Sequence, residues 1–201
     1  MTALVDSMRA FVALNLDVAT VRAIADLARD LRVHPLAPAA RWVAPTKMHV
    51  TLKFLGAIDV GLAPAIRDSL AGLIAARASP RLAIRKPTAF PTPESARVIV
   101  LEIDDVSGGV AQIEASVEKS LASLGFLPDP RAFRPHVTLA RTNASVDSRA
   151  WLASIAVPSR DAVVTELVFY RSDLTRSGAE YTAVARFGFA AGPAAKSAGE
   201  E

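Results

Sequence analysis

The tetrapeptide His-Val-Thr-Leu occurs twice in this chain, at residues 49–52 and 136–139, and takes up two of the three histidines. Side chains of an extended strand alternate between its two faces. In the first copy His49, Thr51 and Lys53 therefore share a face opposite Val50, Leu52 and Phe54; in the second His136 and Thr138 share a face opposite Val137 and Leu139. Each copy reads as a strand that buries one face and lifts a His and a Thr from the other. His49 and His136 are 87 positions apart, about half of the foldable chain and too far for a short structural repeat. That distance predicts two related halves facing each other across a cleft. One copy alone would read as a solvated polar strand face; two copies, each behind a basic or Pro-containing lead-in, point to chemistry.

The remaining chain supplies the frame. Residues 8–16, MRAFVALNL, read as a strand, and Asp17 as the cap of a helix with Val21, Ile24, Leu27 and Leu31 on its buried stripe. His34, before Pro35, reads as a capping or solvent-facing loop residue. Residues 41–44 read as a short strand, 45–46 as a turn, and the first motif strand is expected to close at Gly56. A second helix carries Leu62, Ile66, Leu70, Leu73 and Ile74, with Pro64 in its first turn. Strands follow at 81–90 and 97–103 around the loop PTPESA. A third helix comes next with Val110, Ile113, Val117, Leu121 and Leu124, ended by Gly125. After the loop 126–133 and the second motif, a short helix within 145–153 leads to a strand pair, 162–170 and 181–189, joined through the turn region RSDLTRSGAE. Helices and strands in mixed order give an α+β fold. Residues 1–190 read as one two-lobed domain, and the small, polar residues 191–201 as a disordered tail.

Composition narrows the function classes. With 51% hydrophobic residues in 201, the chain can bury a real core. It has no Cys, so disulfides and thiolate metal sites are excluded, and a reducing cytoplasm is the expected location. No apolar run approaches the roughly 18 residues of a membrane span, which predicts a soluble, unexported protein. A net charge of +3 is too slight for wrapping long nucleic acid and suits a local anionic ligand.

The pair HVTLKFLG and RPHVTLAR resembles the two His-x-Thr-x motifs of the 2H phosphoesterase superfamily. The ordered run of MRAFVALNL, RWVAPTKMHVTLKFLG, GFLPDPRAFRPHVTLAR and LVFYRSDLTRSGAEYTAVARFGF is similar to the bacterial RNA 2′,3′-cyclic phosphodiesterases, historically called 2′-5′ RNA ligases. The resemblance implies two pseudo-symmetric lobes, each an antiparallel sheet backed by helices, with the His motifs lining the groove between them. It implies RNA ends or nucleotides carrying a 2′,3′-cyclic phosphate as partners, and a monomer. The family often carries an aromatic in the strand that here reads VIVLEI, and this chain has none there.

Opening a cyclic phosphodiester needs a proton acceptor on one side of phosphorus and a donor on the other, and two imidazoles suit both tasks. By the resemblance His49 is the general acid toward the leaving 3′-oxygen and His136 the base that activates water, labels that could be exchanged. Thr51 and Thr138 would hold the non-bridging oxygens. Arg141 matches a phosphate-contacting arginine of the family, yet strict alternation puts it on the apolar face, so it serves only if the strand has ended or twisted there. Lys53 points toward the His face by periodicity, as a phosphate contact or a solvated charge. No metal or cofactor is expected, because neither motif contains a carboxylate and Cys is absent. A Thr nucleophile with a His base would leave the duplication unexplained. Two alternatives stay open: a non-catalytic module that binds RNA ends, and 2′-5′ ligation, for which the chain has no GxxxxGK[ST] loop.

Overall fold

Alternating apolar residues become paired strands along most of the chain. The computed structural model describes residues 6–157, 159–176 and 178–190, so the expected tail lies outside the described residues. In order the elements are β1 (Ser7–Leu16), α1 (Val18–Leu31), β2 (Ala40–Trp42), β3 (His49–Asp59), α2 (Ala63–Ile74) and β4 (Arg81–Phe90). They continue with β5 (Ala96–Asp105), α3 (Gly109–Ala122), β6 (His136–Val146), α4 (Arg149–Leu152), β7 (Arg160–Thr175) and β8 (Gly178–Gly188).

All strand pairings are antiparallel. β3, β1, β7 and β8 make one lobe; β2, β6, β5 and β4 make the other. The lobes meet twice. β4 and β7 pair from Arg81↔Val163 to Ile84↔Arg160, and β3 meets β6 at Val50↔Val137, closing a barrel-like ring. Each half of the chain runs strand, helix, motif strand, helix, strand, and the last strand of each crosses over: β4 lies beside β5, and β7 beside β1. The pseudo-symmetric α+β arrangement expected from the repeat is the one observed.

The helices form where the sequence places them. The Asp17 carboxylate accepts the Thr20 N–H at 2.8 Å, and α1 buries Ala23, Ile24, Ala28 and Leu31. α2 buries Ile66, Leu70 and Ile74, and α3 buries Val110, Ile113, Val117 and Leu121. Fully buried Trp151 of α4 donates its indole N–H to Leu31 O at 2.8 Å, fastening α4 to the end of α1. His34 stacks on that indole at 5.9 Å, and its Nδ1 accepts the Leu36 N–H at 3.3 Å, as expected of a loop-capping residue.

Three boundaries differ from expectation. Gly56 does not end the first motif strand; β3 runs on to Asp59, and Gly56 (φ 71°) sits at a register shift between Ala10 and Phe11 of β1. β6 likewise runs on to Val146, leaving the expected short helix as the single turn α4. The RSDLTRSGAE segment is mostly strand, paired from Arg171↔Thr182 to Thr175↔Gly178. That outer ribbon leaves the core, as the 69% exposure of Leu174 shows, so it needs no apolar alternation to mark it.

Candidate active site

The Val50↔Val137 pair sets the two motifs side by side in opposite directions. In an antiparallel pair His49 then falls toward the Thr138 end and His136 toward the Thr51 end. Both valines are fully buried, and the four His and Thr side chains are half-buried on the other face.

Beyond each threonine both strands do the same unexpected thing. From the histidine onward β3 and β6 share one sequence of burial: half-buried, buried, half-buried, buried, buried, exposed. The doubled buried residue is a β-bulge. β1 pairs Val12 with Lys53 and Ala13 with Thr51, skipping Leu52, and β5 pairs Ile99 with Ala140 and Val100 with Thr138, skipping Leu139. One extra residue inverts the facing of everything after it.

The bulges reassign three side chains. Arg141 emerges on the histidine face, close enough that its charge acts on both imidazoles. Lys53, 5% exposed, turns into the core instead, against expectation. Its amine pairs with Glu118 of α3 at 2.6 Å and donates to Leu127 O at 2.8 Å, which removes it from the set of phosphate contacts. Phe54, expected to be buried, is 66% exposed at the position in β3 that Arg141 holds in β6.

The imidazoles are tethered alike. His49 Nδ1 lies 2.9 Å from Lys47 O, and His136 Nδ1 lies 2.7 Å from Arg134 O. A carbonyl only accepts, so each Nδ1 carries the proton and each Nε2 of the neutral ring keeps its lone pair. The Thr51 hydroxyl, 3.1 Å from His49 Nε2, is the donor to it in that state. A His–Thr hydrogen bond of the kind a Thr nucleophile would need thus exists in the first copy.

Their surroundings differ. His49 is ringed by Phe11 (stacked, 5.0 Å), Tyr181 (edge-on, 5.5 Å) and Tyr170 (tilted, 6.2 Å). His136 meets the edge of Phe90 at 5.0 Å, and Arg134 lies over that Phe90 ring at 5.0 Å while pairing with Glu102 at 3.0 Å. Burial pushes the His49 pKa down to about 4; the Lys47 carbonyl opposes this, and the charges of His136 and Arg141 add to it. His136 is also lowered, first by burial, then by Arg134 and Arg141, against the pull of the Arg134 carbonyl. Both rings are therefore neutral near pH 7 in the free protein. An anion between them would oppose these repulsions and favour taking up a proton.

The sequence profile of the 2′-5′ RNA ligase superfamily matches residues 20–176, which include both motif strands. The chain belongs to the 2′-5′ RNA ligase superfamily. Among curated relatives it is 31% identical over 157 residues to an RNA 2′,3′-cyclic phosphodiesterase of Aeropyrum pernix, covering 76% of this chain and 88% of that one. It is 28% identical over 185 residues to the protein of the same name from Methanothermobacter thermautotrophicus, covering 87% and 95%. Among solved structures, TT0787 of Thermus thermophilus superposes with a TM-score of 0.76 over 90% of this chain and 98% of that one; at 23% identity it speaks for the fold. E. coli LigT complexed with 3′-AMP superposes with a TM-score of 0.72 at 25% identity, over 92% and 99%. The resemblance read from the two motifs is thus to the superfamily that the profile and the relatives give.

In this superfamily member, sequence reasoning missed Phe11, Phe90, Tyr170, Tyr181 and Arg134 around the histidines. One signal was present: the chain has only two tyrosines, and both lie against His49. Among the described residues, no group of three or more His, Cys, Asp or Glu comes together as a candidate metal site.

Proposed function

We propose that this protein hydrolyses 2′,3′-cyclic phosphate ends of RNA or nucleotides to 2′-phosphates, using His49 and His136 as a general acid and base. The observation that carries the reading is the antiparallel doubling of the motif around Val50↔Val137, which gives one groove two imidazoles with tethered Nδ1 atoms. The names of the relatives from Aeropyrum and Methanothermobacter support the substrate class.

In this mechanism the substrate's anion, lying between the two rings, stabilises a proton taken up from solvent, leaving His49 as imidazolium. Water attacks phosphorus and yields its proton to His136 Nε2 as the new P–O bond forms. The P–O3′ bond breaks on the opposite side, and His49 protonates the departing 3′-oxygen. Thr51, Thr138 and Arg141 hold the non-bridging oxygens as charge builds on them. An imidazolium whose pKa burial has lowered is a strong donor at that moment. The same transfers with a 5′-hydroxyl in place of water would join the cyclic end to it through a 2′-5′ bond as the P–O3′ bond breaks, which is the ligation reading.

One observation favours a second reading. Two rings that are neutral in the free protein hold no proton to donate, as would suit a module that binds cyclic ends without turnover. Incubation with 2′,3′-cyclic AMP in EDTA, followed by phosphorus NMR, separates the two. Conversion to 2′-AMP is expected, with chelator making no difference. Binding without conversion would favour the module, while conversion that EDTA abolishes and zinc or manganese restores would remove the acid–base mechanism.

A further inference from the structure

Two arginines stand side by side where β2 joins the second lobe. β2 pairs with β6 from Ala40↔Thr142 to Trp42↔Ala140, which sets Arg41 directly opposite Arg141, and the Val43 N–H continues the ladder to Leu139 O at 2.8 Å. Residues opposite each other in an antiparallel pair share a face, with Cβ atoms about 5 Å apart. Ala40 and Trp42, on either side of Arg41, pack against the core, so Arg41 stands on the other face, with Arg141 and the histidines. Both arginines are exposed, and among the described residues neither enters an ion pair. Like charges directly opposite each other destabilise a sheet. Arg134, also near the histidines, is matched by Glu102, and Arg186 is matched by Glu166. Arg41 and Arg141 have no such acid, and a guanidinium fork fits the oxygens of a phosphate.

We propose that Arg41 binds the phosphodiester on the 5′ side of the terminal nucleotide, so that the site favours the 3′ end of an RNA strand over a free nucleotide. The inference rests on the proposed hydrolysis, which gives Arg141 to the non-bridging oxygens of the cyclic phosphate. Arg41 lies one strand further out on the same face. The next anion along an RNA end is the 5′-phosphodiester, joined to the cyclic phosphate through a single ribose. Two neighbouring anions on one ribose offset the repulsion between two neighbouring guanidinium groups, which one phosphate held by Arg141 alone would leave in place.

Calorimetry with three probes tests this independently of turnover: 2′-AMP, adenosine 2′,5′-bisphosphate, and the dinucleotide ApA ending in a 2′-phosphate. The second and third are each expected to bind the wild type roughly tenfold more tightly than 2′-AMP at low salt, a readout that needs no variant. Arg41→Gln should bring both ratios to about one and lower the salt slope of dinucleotide binding by about 1. Arg67→Gln, the same charge change on the exposed side of α2, should keep both ratios. Wild-type ratios near one, ratios that survive Arg41→Gln, or an equal loss in Arg67→Gln would overturn the assignment. A gain with the bisphosphate and none with the dinucleotide would mean a site for a free 5′-phosphate and would overturn the preference for an RNA strand. The expected ratios in a protein that opens no cyclic phosphate would leave the Arg41 site standing and remove the hydrolysis.

Discussion

His49 and His136 share a tether and differ in company, and each similarity or difference has a measurable consequence. Because burial holds the folded-state pKa of His49 at about 4 against 6.5 for an exposed ring, the unfolded chain takes up a proton first as pH falls. Stability is therefore unaffected above pH 6.5 by this group and declines between pH 6.5 and about 4, by about 1–3 kcal/mol. Urea titrations across that range should show the decline in the wild type and a flatter profile in His49→Gln. Thr51→Ala and Thr138→Ala should each lower kcat by about 100-fold, the scale of losing one oxyanion donor; unchanged rates in both would make these threonines ordinary polar strand positions. The His and Thr positions were legible because alternation within a strand is local. Lys53, Phe54 and Arg141 were not, because the bulge that re-aims them depends on how β3 meets β1 and how β6 meets β5.

At the scale of elements, the paired bulges explain why one duplicated motif ends in unlike side chains. Lys53 and Ala140 occupy the same buried position after the bulge, and the lysine uses it to join β3, α3 and the loop before the second motif. Glu118 Oε1 is buried without a hydrogen-bond partner, so its charge leans on Lys53. Burial, with the charge of Glu118, also raises the pKa of neighbouring Glu114. Lys53→Met should cost about 3–5 kcal/mol by stranding Glu118. Lys53→Met combined with Glu118→Leu should recover most of it, and urea denaturation of both variants is the check. An equal loss in single and double variants would mean that the pair does not act as a unit. Helix positions were read from the sequence in their main part: Ile24 and Leu31 of α1, Ile66, Leu70 and Ile74 of α2 and Val110, Ile113, Val117 and Leu121 of α3 are buried as their spacing marked, while Val21, Leu27 and Leu73 are half-buried and Leu62 lies before α2, exposed. Strand ends were not, because Gly56 sits at a bulge and the outer ribbon of β7 and β8 lies beyond the core.

Across the whole molecule, crossing β4 into the second lobe and β7 into the first ties each lobe to the other half of the chain. Neither lobe is complete without a strand from the other half, so unfolding should be one cooperative transition. Tryptophan fluorescence, which reports Trp42 against Trp151, should fall together with far-UV circular dichroism; separate midpoints would mean lobes that melt apart. The two halves were legible from the distance between motifs, whereas the exchange of strands was not, since no local pattern encodes which lobe a strand joins. That architecture brings two copies of one strand side by side in opposite directions. The most direct test is kcat on 2′,3′-cyclic AMP, with the Kd for 2′-AMP, for His49→Ala, His136→Ala and the double variant. Each single change should lower kcat by about 100- to 10,000-fold. The double variant should be little worse than the poorer single, because the pair acts as a unit, and 2′-AMP affinity should fall far less than the rate. Single variants that keep wild-type turnover would contradict the account.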